Sequence, residues 1–385
     1  MDHEARMSSR ATPQGKLIAG SATAPGTLRY AARFRGKSAA GHFRQTPSEL
    51  IFSSIGIGTY LGEPDEATDR GYSDAIVAAA EGGINVVDTA INYRFQRSER
   101  SVREALKQLL ARGFSRDEIV LCTKAGFLTP DNEMPADAND YFSREFLNPG
   151  VFTPEDVAAG CHCMTPRYLA DQLERSRRNL GLECIDVFYV HNPETQLDEI
   201  PREEFRKRLR DAFSFLESAV SAGKITAYGL ATWNAFREDP KAQGYLSLED
   251  VVSLATEAGG SNHRFRFVQL PLNLAMPEAL MRPNQIVAGK TMAMVQAGRA
   301  LGITLVASAA LLQGQLTRNL PAQMHSAWNM KKDSALALQF ARSAPGITTA
   351  LVGMSHVGHV DENLALVSLE PAARDEFLKV FQPRT

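Results

Sequence analysis

The chain lacks the features that mark secreted, membrane-spanning and nucleic-acid-binding proteins. Its longest nonpolar stretch near the N-terminus is short and broken by Gly and Pro, which excludes a secretory signal or a membrane span there. Cysteine is scarce, with 4 in 385 residues. Cys122, Cys161, Cys163 and Cys184 show no disulfide-framework spacing, so a reducing, cytoplasmic compartment is the simpler expectation. A net charge of -2 offers no electrostatic case for nucleic acid or an anionic membrane. No G-x-G-x-x-G follows the first predicted strand, because Gly56-Ile57-Gly58 lies inside the strand itself. That argues against a doubly wound dinucleotide-binding sheet. What is present, 44% hydrophobic and 22% charged residues, can bury a large core. The length admits one big α/β barrel with extensions or two smaller domains.

Residues 1–41 are rich in Ala, Gly, Ser, Arg and Lys without apolar periodicity and read as an N-terminal extension. Its first ~25 residues are expected to be poorly ordered, or an arm packed on the main body or a neighbouring subunit. Arg29, Arg33, Arg35 and Lys37 read as solvated, with phosphate binding as the second reading. From 42 onward, a hairpin over His42 to Phe52 is followed by predicted strands at Ile55 to Thr59 and near Val86, Val120, Val187, Ala227, Phe267, Leu305 and Ala350. Helical patterns follow them, as at Ser98 to Ala111 and Arg167 to Leu180. Eight such repeats indicate an α/β fold of the (β/α)8 TIM barrel type spanning 42–385. The longest interruption, 126–166, carries Tyr141, Phe142, Phe146 and Phe152. It is expected to be a substrate lid with aromatic walls; a surface excursion packing its own aromatics is the alternative. Within it, Cys161-His162-Cys163 lacks a second ligand cluster, so no metal site is expected.

Three segments end apolar or β-branched runs abruptly at ionisable groups: Val86-Val87-Asp88 leading to Tyr93, Leu121-Cys122-Thr123-Lys124, and Phe188-Tyr189-Val190-His191. A buried parallel strand opening into a pocket has this pattern. Taken singly, Asp88 reads more readily as a helix cap or turn residue, Tyr93 as a packed aromatic and His191 as a core histidine. Together they form an acid-base centre. An ammonium at Lys124 would lower the pKa of the Tyr93 phenol, Asp88 would hold that ammonium, and His191 would donate to an oxygen gathering negative charge. The chemistry implied is proton donation to a carbonyl oxygen as a hydride reaches carbon.

At these residues the sequence resembles the aldo-keto reductase superfamily. The matching words are Gly56-Ile57-Gly58-Thr59-Tyr60, Asp88-Thr89-Ala90-Ile91-Asn92-Tyr93, Thr123-Lys124 and the run from Leu180 to His191. Gly223-Lys224-Ile225, Tyr228-Gly229-Leu230, Val268-Gln269, Gly314-Gln315-Leu316, Val352-Gly353 and Glu362-Asn363 follow in order, covering roughly 50–366. The resemblance implies Tyr93 as proton donor, Asp88 and Lys124 as its tuning pair, His191 as carbonyl orienter, and a nicotinamide dinucleotide as hydride source. It further implies cofactor contacts at Gly58, Thr59, Thr232, Gln269, Ser308, Leu311, Gly314, Leu316, Gly353, Ser355, His359, Glu362 and Asn363. Substrate contacts are expected at Tyr60, Tyr141, Phe142, Trp233 and Trp328. The segment Gln313 to Lys332 is expected to cover the pyrophosphate.

Two departures stand out. Ala231-Thr232 replaces the usual Ser-Asn grip on the carboxamide, and Ser308 stands where an aromatic usually stacks on the nicotinamide. At positions that often carry Lys and Arg for a 2'-phosphate, the chain has Gly353 and His359, with Ser355 and His356 nearby. Arg318 and Lys331 are either alternative phosphate partners or solvated. NADPH is the expected cofactor, with NADH open. The expected activity is reduction of an aldehyde, ketone or sugar carbonyl, or oxidation of the alcohol. A nicotinamide-binding regulatory or scaffold subunit is the first alternative, and a cofactor-assisted lyase or epimerase the second. The expected partner is a small-molecule carbonyl or alcohol, with homo-oligomer formation left open.

Overall fold

Residues 16–378 are described by the computed structural model. An antiparallel hairpin, β1 (Phe43–Gln45) with β2 (Ile51–Ser53), precedes β3 (Ile55–Gly58), β4 (Val86–Asp88), β5 (Val120–Ala125), β6 (Ile185–His191), β7 (Ile225–Ala231) and β8 (Phe265–Pro271). A second hairpin, β9 (Gln285–Val287) with β10 (Lys290–Met292), leads to β11 (Thr304–Ser308) and β12 (Ile347–Gly353). Eight parallel strands close in the order β11-β12-β3-β4-β5-β6-β7-β8. This is the predicted (β/α)8 barrel, and its closure leaves none of the free edges of a doubly wound sheet.

Period-two alternation explains both the core and the rim. Val86, Val120, Cys122, Val187, Tyr189, Phe267, Val306 and Leu351 fill the barrel interior. The β1–β2 hairpin plugs its floor, with Phe52 stacked on Phe267 at 5.9 Å. The intervening residues Leu121, Phe188, Val190, Leu230 and Leu270 face the helices and join the larger outer core. Two residues beyond the last interior apolar position, the same inward parity brings Asp88, Lys124, His191, Gln269, Ser308 and Gly353 to the C-terminal rim. Strand pairing places Asp88 level with Cys122, and Lys124 level with Tyr189.

The helix Pro166–Leu180 illustrates how the outer layer is set. Thr165 caps it by accepting from the Tyr168 N–H, proline occupies its first turn, and Gly181 ends it at φ 69°. Its buried Leu169, Leu173 and Leu180 each contribute roughly 1.5–3 kcal/mol through burial. Among the described residues no helix is long and apolar enough to cross a membrane.

Two expectations need correction, the first being the solvation of the arm's basic residues. From residue 16 the N-terminal arm packs on the barrel, one of the two expected arrangements, through the helix Ala24–Ala32; the part of the expectation concerning residues 1–15 lies outside the described residues. Tyr30 is fully buried and donates its hydroxyl to the Ala80 carbonyl at 2.6 Å. Gly26 crosses the Asp117 backbone so closely that a Cβ would lie 2.2 Å from its oxygen. Arg29 and Arg33 are not merely solvated, since both reach the buried Glu118, at 3.1 and 2.9 Å. Arg35 and Lys37 are exposed.

The 126–166 insertion is the second correction. Its aromatics face one another, with Phe146 stacked on Phe152 at 5.6 Å and Phe142 on Phe146 at 5.8 Å. Tyr141, Tyr168 and the buried Cys163 complete this cluster. The insertion buries its own rings against the helix Pro166–Leu180, where they escape water without needing a ligand.

Candidate active site

Four side chains meet at the C-terminal mouth of the barrel. Lys124 is fully buried, which for a lysine requires paired partners. Its Nζ donates to Asp88 Oδ2 at 2.5 Å, to the Thr89 carbonyl at 2.9 Å and to the Tyr93 hydroxyl at 3.2 Å. Gln269 Nε2 donates to the other carboxylate oxygen of Asp88 at 2.8 Å. The His191 ring stands edge-on to Tyr93 at 5.9 Å, and the Tyr60 ring also meets Tyr93 edge-on, at 4.9 Å.

Burial would lower the pKa of Lys124, but Asp88 and Tyr93 outweigh it and hold the ammonium above its ordinary value. For Tyr93, burial raises the phenol pKa more than Lys124 lowers it. Lys124 thus acts in the expected direction, but the net shift is upward and the hydroxyl keeps its proton near neutrality. Burial, with Lys124 and His162 adding to it, pushes His191 well below the usual histidine range. His191 is therefore a neutral imidazole, with a buried Nδ1 that has no partner. Its backbone carbonyl accepts from His162 Nε2 at 2.7 Å. The His162 ring therefore serves as a strut, with Gln196 at its other nitrogen, 3.1 Å away.

A cavity of about 900 Å3 opens from this cluster. Gly58, Thr59, Tyr60, Thr232, Trp233, Gln269, Ser308, Leu311 and Gly314 line it, as do Gly353, Ser355, His359, Glu362 and Asn363. Glu362 is held there by Lys332 at 2.9 Å and by the Ser334 hydroxyl. Glycine at 353 leaves open space where a side chain would intrude. The donor set suits the amide, hydroxyls and ring edges of a nicotinamide dinucleotide, with the acid-base cluster at one end. The described wall holds no lysine or arginine.

Several predicted contacts lie elsewhere. Tyr141 and Phe142 belong to the insertion's own cluster. Trp328, on the helix Ala322–Trp328, packs against Phe340 at 6.3 Å and Phe377 at 6.0 Å. Leu316 is buried within the loop after β11 and is not on the wall, while Arg318 and Lys331 are exposed and off the wall. Gln313, the first residue of the segment expected over the pyrophosphate, does line the cavity, and Tyr72, Asn92, Phe127, Asn192 and Ser334 line it unpredicted. Asn92 and Asn192 stand beside Tyr93 and His191, and that adjacency was the available signal. Glu194 was also missed: it is buried and accepts from the N–H groups of Trp233 at 2.6 Å and Asn234 at 3.1 Å, fixing the turn after β7.

Comparison with known proteins accords with this geometry. The sequence matches the Aldo/keto reductase family over residues 54–380. A putative voltage-gated potassium channel subunit beta of Schizosaccharomyces pombe is 24% identical over 346 residues, spanning 86% of this chain and 89% of that protein. The NADH-specific methylglyoxal reductase of Escherichia coli is 26% identical over 193 residues, 49% of this chain and about half (51%) of that protein's length. Among solved structures, an aldo/keto reductase from Klebsiella pneumoniae in complex with NADP and acetate superposes with a TM-score of 0.58 at 18% identity, covering 89% of this chain and 96% of that one.

Proposed function

Because the chain belongs to the aldo/keto reductase family, we propose that it is an NAD(P)H-dependent oxidoreductase acting between a carbonyl and the corresponding alcohol, with Tyr93 as general acid and base. The observation that carries this reading is the simultaneous contact of Lys124 Nζ with Asp88 Oδ2 and the Tyr93 hydroxyl. A bound nicotinamide dinucleotide supplies the hydride in reduction and accepts it in oxidation.

Tyr93 gives its proton to the carbonyl oxygen, and the ammonium of Lys124 stabilises the phenolate left behind. Asp88 keeps that ammonium charged and aimed, with Gln269 fixing the carboxylate. His191, neutral through burial, would carry its proton on Nε2 and donate it as a hydrogen bond to the same oxygen. Thr232 and Gln269 would hold the carboxamide, the loop through Gln313 and Gly314 the pyrophosphate, and Ser355, His359, Glu362 and Asn363 the adenosine. NADPH is the first cofactor to test. NADH is the second, because no described cation on the wall meets a 2'-phosphate. Substrate would enter between Tyr60 and Trp233, which are 53% and 38% exposed at the mouth.

A second reading, a cofactor-binding regulatory subunit, draws support from the length of the match to the potassium channel subunit beta. The intact contacts among Asp88, Lys124 and Tyr93 favour the enzyme. Excess protein mixed with NADPH or NADH and an activated aromatic aldehyde tests both readings. Loss of reduced-nicotinamide absorbance within minutes, abolished by Tyr93→Phe, is the expected result. Undiminished turnover in Tyr93→Phe would remove the assignment, and cofactor binding without turnover across a broad carbonyl panel would favour the regulatory subunit.

A further inference from the structure

Arg94, Phe95 and Gln96 follow Tyr93 directly, and all three take left-handed backbone, with φ of 47°, 55° and 71°. None is glycine, so each Cβ is crowded by its own backbone, and such a run persists only when its surroundings over-determine it. The backbone ties this turn on one side only: the Tyr93 N–H donates to the Ala90 carbonyl at 3.1 Å, whereas the Tyr93 carbonyl accepts from the Ser98 N–H at 3.5 Å, the limit of a hydrogen bond. Side chains supply the rest of the hold. The buried guanidinium of Arg94 donates to Asp69 Oδ1 at 2.6 Å, to Ser98 Oγ at 3.1 Å and to Ser101 Oγ at 3.1 Å. Asp69 uses its second oxygen on Arg97, at 2.6 Å.

The same cation reaches the neighbouring loop. It lies over the Tyr72 ring at 4.9 Å, and the Tyr72 hydroxyl donates to the Leu61 carbonyl at 2.7 Å. Ser98, which accepts from Arg94, donates to the Thr59 carbonyl at 2.9 Å. Leu61 and Thr59 flank Tyr60, whose ring rests edge-on against Tyr93. One buried arginine thus joins the loop behind Tyr93 to the loop that braces its ring.

We propose that Arg94 is a positioning residue for Tyr93: it clamps a left-handed turn that would otherwise relax, and so fixes the Tyr93 hydroxyl against Lys124. The reaction-level part of this proposal rests on the reading of Tyr93 as the proton-transferring group. A displacement of the hydroxyl by an ångström is enough to cost roughly a hundredfold in rate.

The test compares Arg94→Met with the triple variant Arg94→Gly, Phe95→Gly, Gln96→Gly, in which the backbone adopts positive φ without crowding. Three readouts are followed: kcat, affinity for reduced nicotinamide by fluorescence, and ionisation of the Tyr93 phenol, taken as the ultraviolet difference between each protein and its own Tyr93→Phe partner. Arg94→Met is expected to lower kcat at least about tenfold with cofactor affinity nearly unchanged, and to move the phenol ionisation upward as Lys124 loses contact. The triple variant is expected to stay within about threefold of the parent. An unmoved phenol ionisation in Arg94→Met, or a triple variant as slow as Arg94→Met, would overturn the proposal. If Arg94→Met does not fold, Asp69→Asn breaks the same clamp from its more exposed side and is read identically. Full turnover in Tyr93→Phe would remove the functional reading alone, because the phenol ionisation still reports on the clamp.

Discussion

The Trp233 N–H donates to Glu194 Oε1 at 2.6 Å, while Glu194 Oε2 is buried with no partner. Burial raises the pKa of this carboxyl, with the N–H donors only partly opposing it. A carboxyl raised in the folded state is better tolerated protonated. Its favourable effect on stability is complete below the unfolded value of ~4.3 and is lost as pH rises through the folded value. Glu194→Gln keeps the accepting oxygen and removes the charge. The variant should match the parent near pH 4 and exceed its Tm increasingly toward neutrality, measured by thermal melts across pH. A parent that gains on the variant as pH rises would contradict this.

The Asp88–Lys124 pair separates stability from catalysis. Lys124→Met strands a buried carboxylate and should cost about 3–5 kcal/mol. Adding Asp88→Asn removes the stranded charge, so the double variant should recover most of that loss in urea midpoint. Turnover should stay near zero in both, because the phenolate of Tyr93 loses its ammonium. Recovery of turnover together with stability would show that the pair acts only as a structural element.

Much of this arrangement was legible because a buried strand that stops at an ionisable residue is hard to explain without a pocket. Asp88, Lys124 and His191 are of that kind, and parity along each strand carries them to one rim. Other features left no local mark. Arg29 and Arg33 find Glu118 more than eighty positions away, so composition alone made them look solvated. Trp328, Tyr141 and Phe142 show that an aromatic in a loop does not announce whether it faces a ligand, a helix or its own neighbours. The left-handed turn at Arg94, Phe95 and Gln96 was equally hidden, since the usual signal for positive φ is glycine.

Acid should weaken the fold through two buried histidines. His42 sits between Ser54 Oγ at 3.0 Å and the Gly83 carbonyl at 2.9 Å, and burial lowers its pKa to about 4. Burial likewise lowers His162 to about 4. Both are lowered in the folded state, so their contribution is present above pH ~6.5 and is lost as pH falls toward 4. Each accounts for up to about 3 kcal/mol over that window. His162→Gln should be less stable than the parent at pH 7 yet lose less between pH 6.5 and 4.5. Equal losses for the two proteins, measured by urea unfolding, would show that His162 does not couple to acid.

The placement of the insertion's rings makes a prediction that distinguishes a lid from a self-packed excursion. Phe142 and Tyr141 touch the Phe146 cluster and do not line the cavity, whereas Tyr60 and Trp233 do. Tyr141→Ala should therefore lower stability by about 1–3 kcal/mol through lost packing and leave KM for a carbonyl substrate within about twofold. Tyr60→Ala and Trp233→Ala should do the reverse, with a small change in Tm and KM raised about fivefold or more as the apolar walls of the mouth are lost. A Tyr141→Ala protein with unchanged Tm and a raised KM would return the insertion to the role of lid, because its ring would then be meeting substrate and not its neighbours.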